Sequence, residues 1–285
     1  MPTFSKASEG LEGVLVWTFT KIEDMQGTIS SYGANLEASG ASPYLIFRLV
    51  TTNDLRKIEC ARENGKIDRG VRLTHYVDWD ILIVKMPTAK HEAVHGGFGQ
   101  KLTIRAALMG LENEFYYLGG TKFQVRRASK EGDTAFKPLS MRPREADWPT
   151  IVIEAGWSES LRKLRQDAGF WLEDSGGDVK IVLLISICRR RGARKLIIEK
   201  WENRPVSANR PATRSIARAA GNAQTATRIQ TITIDSNSNT VKGAPLTLEF
   251  RKIFLRQAVP PLEHDFTFTV QDLSVFATTY WAGLR

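Results

Sequence analysis

Two carboxylates in this sequence lie where neighbouring β-strands are predicted, and together they could hold a metal ion. Glu154 lies within WPTIVIEAGWS, a β-branched run over residues 148–158 that predicts a buried strand. Asp133 lies in GDTAFKP, a short predicted strand, 21 residues before Glu154, and this spacing allows a loop between two adjacent strands. Two such carboxylates can share a hard cation such as Mg²⁺, which lowers the pKa of a bound water and neutralises charge on a phosphate.

Both carboxylates also have a structural interpretation. A carboxylate within a buried strand is costly without a partner, and a salt bridge to an arginine would satisfy Glu154 as well as a metal ion would. Asp133 could be a turn residue, since Gly-Asp pairs often occur in turns. Asp147 is nearer to Glu154 in the sequence, but it precedes Trp148-Pro149 and is predicted to lie in a loop.

A strand–helix–strand unit is predicted around Glu154. Residues 158–174 have the apolar periodicity of an amphipathic helix with Ser158 at its N-cap, and residues 178–187 form the next apolar run. A unit of this kind implies a right-handed crossover between two parallel strands. The segment 196–202 is predicted to be an antiparallel partner of the second strand.

Apolar and β-branched runs predict the remaining strands, and prolines and glycines mark where elements end. A helix is predicted from residue 90 onward, capped by Thr88 after Pro87. Residues 30–42 are rich in small residues and predict turns. Another short helix is predicted at 55–65, strands at 13–22, 43–50, 71–86, 116–127, 228–234 and 245–254, and a strand with a terminal helix at 265–281.

The order strand, helix, strand, short strand with Asp, strand with Glu, helix, strand resembles the PD-(D/E)XK nuclease superfamily, whose fold is called restriction-endonuclease-like. Within it, the chain is most similar to small bacterial proteins whose first helix follows a strand ending in Met-Pro, here VKMPTAKHEAV at 84–94. The passage VIEAGWSESLRKLRQDAGFWL at 152–172 also resembles uncharacterised fungal and oomycete relatives. The resemblance covers about residues 81–200 and implies hydrolysis of phosphodiester bonds in DNA with Mg²⁺ or Mn²⁺.

The resemblance implies that Asp133 and Glu154 are both catalytic residues and metal ligands. The family motif carries a lysine two residues after the Glu, whereas this sequence has Gly156. In the bacterial group a lysine on the following helix substitutes for it, and Lys163 is the residue predicted to do so here, positioning the water or the phosphate. Lys163 shares an i, i+4 helix face with Asp167.

Three other interpretations of the missing lysine stay open. Arg165 and Lys180 are rivals for the role of Lys163, and Lys163 could instead be an ordinary solvated lysine.

On the preceding helix, the resemblance implies that His91 and Glu92 are rim or accessory residues, with Glu92 as a possible third carboxylate. His91 and His95, four residues apart in the sequence, could hold zinc, but two imidazoles alone make a weak site and are more often helix-surface or rim residues.

The charge balance suits a polyanionic partner. The formal net charge is +9 and the pI is about 9.6, which suits nucleic acid or an anionic membrane surface. A merely basic surface without such a partner is the alternative. The loop at 203–228 contains no acidic residue and is rich in arginine, and the basic run before it could also be a nuclear localisation signal. An ordinary solvated loop is the alternative. The predicted nucleic-acid-binding residues are Arg189, Arg190, Arg191, Arg194 and Lys195.

Several classes of protein are disfavoured. Cys60 and Cys188 are too few for a disulfide framework or a cysteine zinc site. The N-terminus lacks the pattern of a signal peptide, and the longest apolar run, residues 181–188, is too short to span a bilayer. No nucleotide-binding glycine loop and no Gly-x-Ser-x-Gly motif is present. We therefore expect an intracellular protein, cytoplasmic or nuclear, that is not a membrane protein.

The predicted fold class is α/β: a restriction-endonuclease-like mixed central sheet flanked by helices, with N-terminal and β-rich C-terminal extensions. The predicted division is an extension packed on the core at 1–70, the core at 71–202, a basic loop or linker at 203–228, and an extension completing the same domain at 229–285. The predicted function is a metal-dependent nuclease. A nuclease fold that binds nucleic acid without catalysis and an effector-like protein-interaction module are the alternatives, and the sequence does not indicate an oligomeric state.

Overall fold

The computed structural model describes residues 9–39, 41–157, 161–188, 192–205 and 224–284. The chain divides into two compact units, the first formed by 1–92 and 120–132 and the second by 93–119 and 133–285. A strand within residues 71–92 pairs with a strand of the first 70 residues, and the C-terminal strands join the sheet that contains Glu154.

The first unit is built on a six-stranded sheet in the order β1-β2-β4-β3-β7-β6. Strand β1 runs parallel to β2, and the other neighbours are antiparallel. A cluster of buried apolar side chains packs two helices on this sheet. Its elements are β1 (Val16–Thr18), α1 (Ile22–Ser39), β2 (Tyr44–Arg48), α2 (Thr52–Glu63), β3 (Arg72–Tyr76), β4 (Ile81–Lys85), the start of α3 (Ala89–Leu108), β6 (Lys122–Gln124) and β7 (Ala128–Glu131).

The second unit is built on a seven-stranded mixed sheet in the order β13-β12-β11-β10-β9-β8-β5, with a separate two-stranded sheet of β14 and β15. Its further elements are β5 (Phe115–Tyr117), β8 (Thr134–Pro138), β9 (Ile151–Trp157), α4 (Leu161–Gly169), a π-helical turn (Phe170–Asp174), β10 (Ile181–Ile187), β11 (Lys195–Pro205), β12 (Gln224–Asp235), β13 (Thr240–Lys242), β14 (Leu246–Leu248), α5 (Phe250–Phe254), β15 (Phe266–Phe268) and α6 (Val270–Ala282).

The alternation of side chains along β9 and β10 separates two faces of the larger sheet. Ile153 and Ala155 of β9, with Leu183 and Ile185 of β10, belong to the apolar core that also contains α3, α5 and α6. The intervening residues, Glu154 among them, face the side on which α4 packs. The sheet is therefore covered by helices on both faces.

These features confirm the predicted fold class of a mixed α/β protein with mixed sheets flanked by helices. The predicted crossover is also present: β9 and β10 are parallel and joined through α4, and β11 pairs antiparallel with β10. None of the helices in the described ranges combines the length and the apolar character that crossing a bilayer requires.

Two predicted elements are wrong. Residues 30–42 were expected to form turns, but α1 extends to Ser39, because Met25, Ile29 and Leu36 bury one face of it against the first sheet. The strand expected at 245–254 is a short strand followed by α5, whose residues Phe250, Ile253 and Phe254 enter the core.

The predicted loop at 203–228 is shorter than expected at both ends. Residues 203–205 continue β11, and residues 224–228 begin β12, so that Arg204 pairs with Thr225 across the ladder. Residues 206–223 lie outside the described part of the chain. Likewise the predicted helix over 158–174 is described from residue 161, with Ser158 outside the described residues.

The packing of α3 yields a stability prediction for the second unit. Phe98 is fully buried between Phe268, 4.9 Å between ring centroids, and Phe276, 5.3 Å in edge-to-face geometry. We expect Phe98→Ala to lower the free energy of unfolding by about 3–5 kcal/mol, because the cavity adds to the lost transfer energy. Leu108→Ala, at a side chain on the same helix that is 77% exposed, serves as the control and should change it by less than about 0.5 kcal/mol. Urea denaturation measures both, and equal losses would contradict this account of the core.

Candidate functional site

Asp133 lies immediately before β8, next to Glu154 on the adjacent antiparallel strand β9. Thr134 of β8 pairs with Ile153 of β9, so the next position along the ladder places Asp133 opposite Glu154. The main-chain N–H of Ala155 donates to Asp133 Oδ2 at 2.8 Å, which holds the aspartate against the end of β9. Each of the two side chains is only 1% exposed. The sheet thus brings two buried carboxylates onto the face covered by α4.

Trp171 is the described partner of Glu154. Its indole Nε1–H donates to Glu154 Oε1 at 2.7 Å, and the indole is fully buried. Trp171 lies in the π-helical turn that follows α4; such turns are frequent at functional sites. The indole is thus a neutral donor that orients the Glu154 carboxylate.

Lys163 and Asp167 form a buried ion pair on α4. The ammonium and the Oδ1 atom are in direct contact, and the two residues are 1% and 3% exposed. The alternative of a solvated lysine is wrong, whereas the predicted i, i+4 pair of Lys163 and Asp167 is present. A buried ion pair repays its desolvation only with good geometry, and this pair places two charged groups inside the protein on α4.

The two rival cations have other partners. Arg165 donates from Nε at 3.0 Å and from Nη2 at 2.5 Å to the two carboxylate oxygens of Glu199 on β11. Lys180 precedes β10, at the opposite end of the strands from Gly156, and donates to the carbonyl oxygen of Gly177 at 2.5 Å. Burial lowers the pKa of Lys180. Lys163, by contrast, is buried on α4 with Asp167 of the same helix as its partner.

Glu199 lies in the same row across the sheet as the two carboxylates. Leu184 of β10 pairs with Glu154 on one side and with Glu199 on the other. Besides Arg165, Glu199 accepts from Trp201 Nε1 at 2.9 Å and from Arg228 Nη1 at 3.0 Å. Burial raises the pKa of Glu199, but the hydrogen bonds from these donors outweigh it and leave the pKa below its ordinary value. This cluster fastens α4 to β11.

The arrangement of Asp133 and Glu154 can accommodate a hard cation. Like charges directly opposite on adjacent strands repel each other, and a cation between them removes that repulsion. Among the described residues no group of three or more His, Cys, Asp and Glu side chains could enclose a metal ion. Mg²⁺ typically uses one or two carboxylates together with waters and phosphate oxygens, so the pair fits Mg²⁺ or Mn²⁺ better than a fully enclosed structural ion.

The residues predicted for the rim lie on the first turns of α3. His91 is fully buried, and its Nδ1 accepts from the Thr88 main-chain N–H at 3.3 Å. Glu92 has a side chain that is 50% exposed, with Arg72 Nη2 at 3.7 Å. His95 is buried as well, and its Nδ1 lies 2.9 Å from the hydroxyl of Thr134, the residue after Asp133. The interpretation of the two histidines as helix-surface residues is therefore wrong.

Of the predicted nucleic-acid-binding residues, Arg194 and Lys195 are described. Arg194 is exposed in the turn before β11, and Lys195 is half-buried at the start of that strand, opposite Asp235. Arg189, Arg190 and Arg191 lie outside the described residues. Two further arginines, Arg165 and Arg228, pair with Glu199 and are partly exposed, with 38% and 47% of their side chains accessible.

The comparisons with known proteins add little to this geometry. No protein-family model matches the chain, and no curated protein matches it. A solved structure from Anabaena variabilis, described as a candidate nuclease belonging to DUF820, is similar over 73% of this chain and 90% of its own length, at 13% identity and a TM-score of 0.37. At that TM-score the similarity identifies neither a fold family nor an activity for this chain.

The hydrogen bond between Trp171 and Glu154 yields a prediction. Trp171→Phe keeps most of the packing but leaves a buried carboxylate oxygen without its indole donor, so we expect the free energy of unfolding to fall by about 1–3 kcal/mol at neutral pH. Trp17→Phe, at an indole that is 44% exposed, is the matched control and should be nearly neutral. Chemical denaturation followed by circular dichroism gives both values; a loss no larger than that of the control would show that this donor is dispensable.

The Glu199 cluster predicts a pH dependence of stability. The folded-state pKa of Glu199 lies below the ordinary value of 4.5, so the ionised carboxylate stabilises the fold above that pH. This contribution is lost as the pH falls from there towards the folded-state pKa. We expect Glu199→Gln to be destabilised relative to wild type at about pH 7 and to approach wild type at about pH 3.

Urea denaturation at both pH values measures this difference. Glu112→Gln, at an exposed glutamate of the same unit, is the control and should differ little from wild type at either pH. A Glu199→Gln penalty that is the same at both pH values would mean that the charge of Glu199 does not stabilise α4.

Proposed function

We propose that the second unit is a metal-dependent nuclease of the PD-(D/E)XK type that hydrolyses phosphodiester bonds in DNA. The observation that carries the proposal is the placement of Asp133 and Glu154, both buried, opposite each other on adjacent antiparallel strands beneath the helix that bears Lys163. The preceding helix α3, the crossover through α4 and the antiparallel strand β11 support the same assignment.

Each residue of the site has a distinct proposed role. Asp133 and Glu154 would hold Mg²⁺ or Mn²⁺, which when bound supplies Lewis-acid activation of a water and neutralises charge on the phosphate. The N–H of Ala155 and the indole of Trp171 orient the two carboxylates. Lys163, which pairs with Asp167, would contact the water or a phosphate oxygen. His91 and Glu92 remain proposed rim residues.

The proposed substrate follows from charge. The whole chain carries a formal net charge of +9, and phosphate contacts dominate the affinity of proteins for nucleic acid. Arg194 is exposed, and Lys195 and Arg189 to Arg191 surround it in the sequence. We assign them the role of contacting the phosphate backbone, with DNA as the substrate and an intracellular location, cytoplasmic or nuclear.

A second candidate function is nucleic-acid binding without catalysis. The observation that favours it is Gly156, which stands where the superfamily motif carries its lysine. If Lys163 does not replace that lysine, the carboxylate pair could retain a cation and the basic residues could retain DNA while hydrolysis is lost. The two functions differ only in cleavage, so one set of assays separates them.

The test is a cleavage assay on supercoiled plasmid and single-stranded DNA with Mg²⁺ or Mn²⁺. We expect the wild type to cut with metal and not with a chelator, and Asp133→Asn, Glu154→Gln and Lys163→Met each to lower the rate by about 10²–10⁴-fold. Glu145→Gln, at an exposed glutamate of the same unit, should cut as the wild type does. Circular dichroism of each variant establishes that it is folded.

The alternative outcomes are distinct. Binding of DNA that weakens steeply with salt, without cleavage by a folded wild type, would select the binding function. Cleavage that survives in both Asp133→Asn and Glu154→Gln would contradict the proposed metal ligands. A folded protein that neither binds nor cuts nucleic acid would refute both candidate functions and leave the protein-interaction alternative.

A further inference from the structure

Ser186 carries a buried hydroxyl that the proposed mechanism has not used. The residue is 1% exposed, and its Oγ has no hydrogen-bond partner among the described residues. A buried hydroxyl without a partner is unfavourable, and in folded proteins such a group commonly binds a water molecule or an ion. The hydroxyl of Ser186 is therefore a candidate to bind a water molecule or an ion.

The position of Ser186 connects it to the two carboxylates. In the parallel ladder between β9 and β10, Ser186 pairs with Gly156, and Leu184 pairs with Glu154. Ile185 and Ile187 face the apolar core, so Ser186 faces the same side of the sheet as Glu154. As a diagonal neighbour on the adjacent strand, it lies about 7–8 Å from Glu154 between Cα atoms.

Gly156 places no side chain beside this hydroxyl. A residue at this position projects its side chain to the face that carries Glu154, two residues before it, and glycine has none. A lysine side chain at this position, as the superfamily motif has, would lie next to Ser186. With glycine there, no side chain of β9 pairs with Ser186, and the separation from Glu154 suits one water between the hydroxyl and a cation held by the carboxylates.

We propose that Ser186, opposite Gly156 in the ladder, binds and orients a water that would be a ligand of the cation held by Asp133 and Glu154. A serine hydroxyl both donates and accepts, so it can hold a water in a fixed orientation without a charged side chain. Ser186 is then a positioning residue that divides the role of the motif lysine with Lys163. The inference rests on the proposed metal-dependent function.

The experiment compares Ser186→Ala with Ser175→Ala in the full chain, using Mn²⁺ as the probe. Ser175 is also buried, but its hydroxyl has protein partners: it donates to the Leu172 carbonyl at 3.4 Å and accepts from the Val179 N–H at 3.1 Å. We expect Ser186→Ala to lower kcat about tenfold, the loss typical of one hydrogen bond. KM, the Mn²⁺ affinity by titration calorimetry and the thermal stability should stay near wild type. Ser175→Ala should show the reverse: lower stability and unchanged kcat.

A crystal structure with Mn²⁺ supplies a readout that does not depend on turnover. We expect a water coordinated to Mn²⁺ within hydrogen-bonding distance of Ser186 Oγ in the wild type and displaced in Ser186→Ala. If the wild type cuts DNA while Ser186→Ala has the same kcat and no water contacts Ser186, the role of Ser186 is refuted and the nuclease stands. If the wild type binds Mn²⁺ but cuts nothing, a Mn²⁺-bound water in contact with Ser186 Oγ supports the role of Ser186, and its absence refutes that role. If it binds no Mn²⁺, both proposals fail.

Discussion

The pairing of β8 with β9 is the constraint on which the candidate site depends. Because side chains alternate along a strand, a slip of one residue would turn Asp133 to the opposite face of the sheet from Glu154. The apolar side fixes the register: Phe136 of β8 stacks on Phe115 with ring centroids 4.2 Å apart, and Ile151 and Ile153 of β9 are fully buried in the same core. Burial of the apolar residues on one face thus fixes the register of β8 and β9, and this register positions the carboxylates of Asp133 and Glu154.

Helix α4 meets the sheet through charged contacts as well as apolar ones. Leu164 and Ala168 are fully buried, and Arg165 pairs with Glu199 of β11. Two residues of one helix separated by two positions point about 200° apart, so Lys163 points away from Arg165, and its partner is Asp167 of the same helix. Buried ion pairs often contribute less stability than apolar packing of the same volume, which makes a purely structural explanation of this face incomplete.

The elements with strong local periodicity could be predicted from the sequence, and those that depend on distant partners could not. Residues 151–157 and 181–187 were identified because fully buried parallel strands are continuous apolar runs. The helical character of α1 was missed, since Gly33 and its serines argue for turns and only packing on the first sheet overrides them. Membership of β3 and β4 in a separate sheet depends on pairing with β2, which no local pattern encodes.

The same distinction applies to the site. The i, i+4 spacing was enough to place Lys163 and Asp167 on one face, but not to show that the face is buried. For Glu154, the sequence offered a salt bridge to an arginine as the structural alternative to metal binding, whereas in the structure Arg165 pairs with Glu199 and the indole of Trp171 donates to Glu154. The sequence identifies side chains that can donate hydrogen bonds to a buried carboxylate. Which of them does so depends on which strand each residue of α4 and the following turn faces.

The proposed exchange of a strand lysine for a helix lysine would have a physical consequence at Gly156. A lysine at that strand position would bring a flexible ammonium to the carboxylates from within the sheet and would lie beside Ser186. A lysine on α4, anchored by Asp167, would instead bring the positive charge from the helix. Under the proposed function, the hydroxyl of Ser186 on β10 would then order water near the cation. Gly156, taken alone as a sign of lost catalysis, is equally compatible with a site whose lysine has moved.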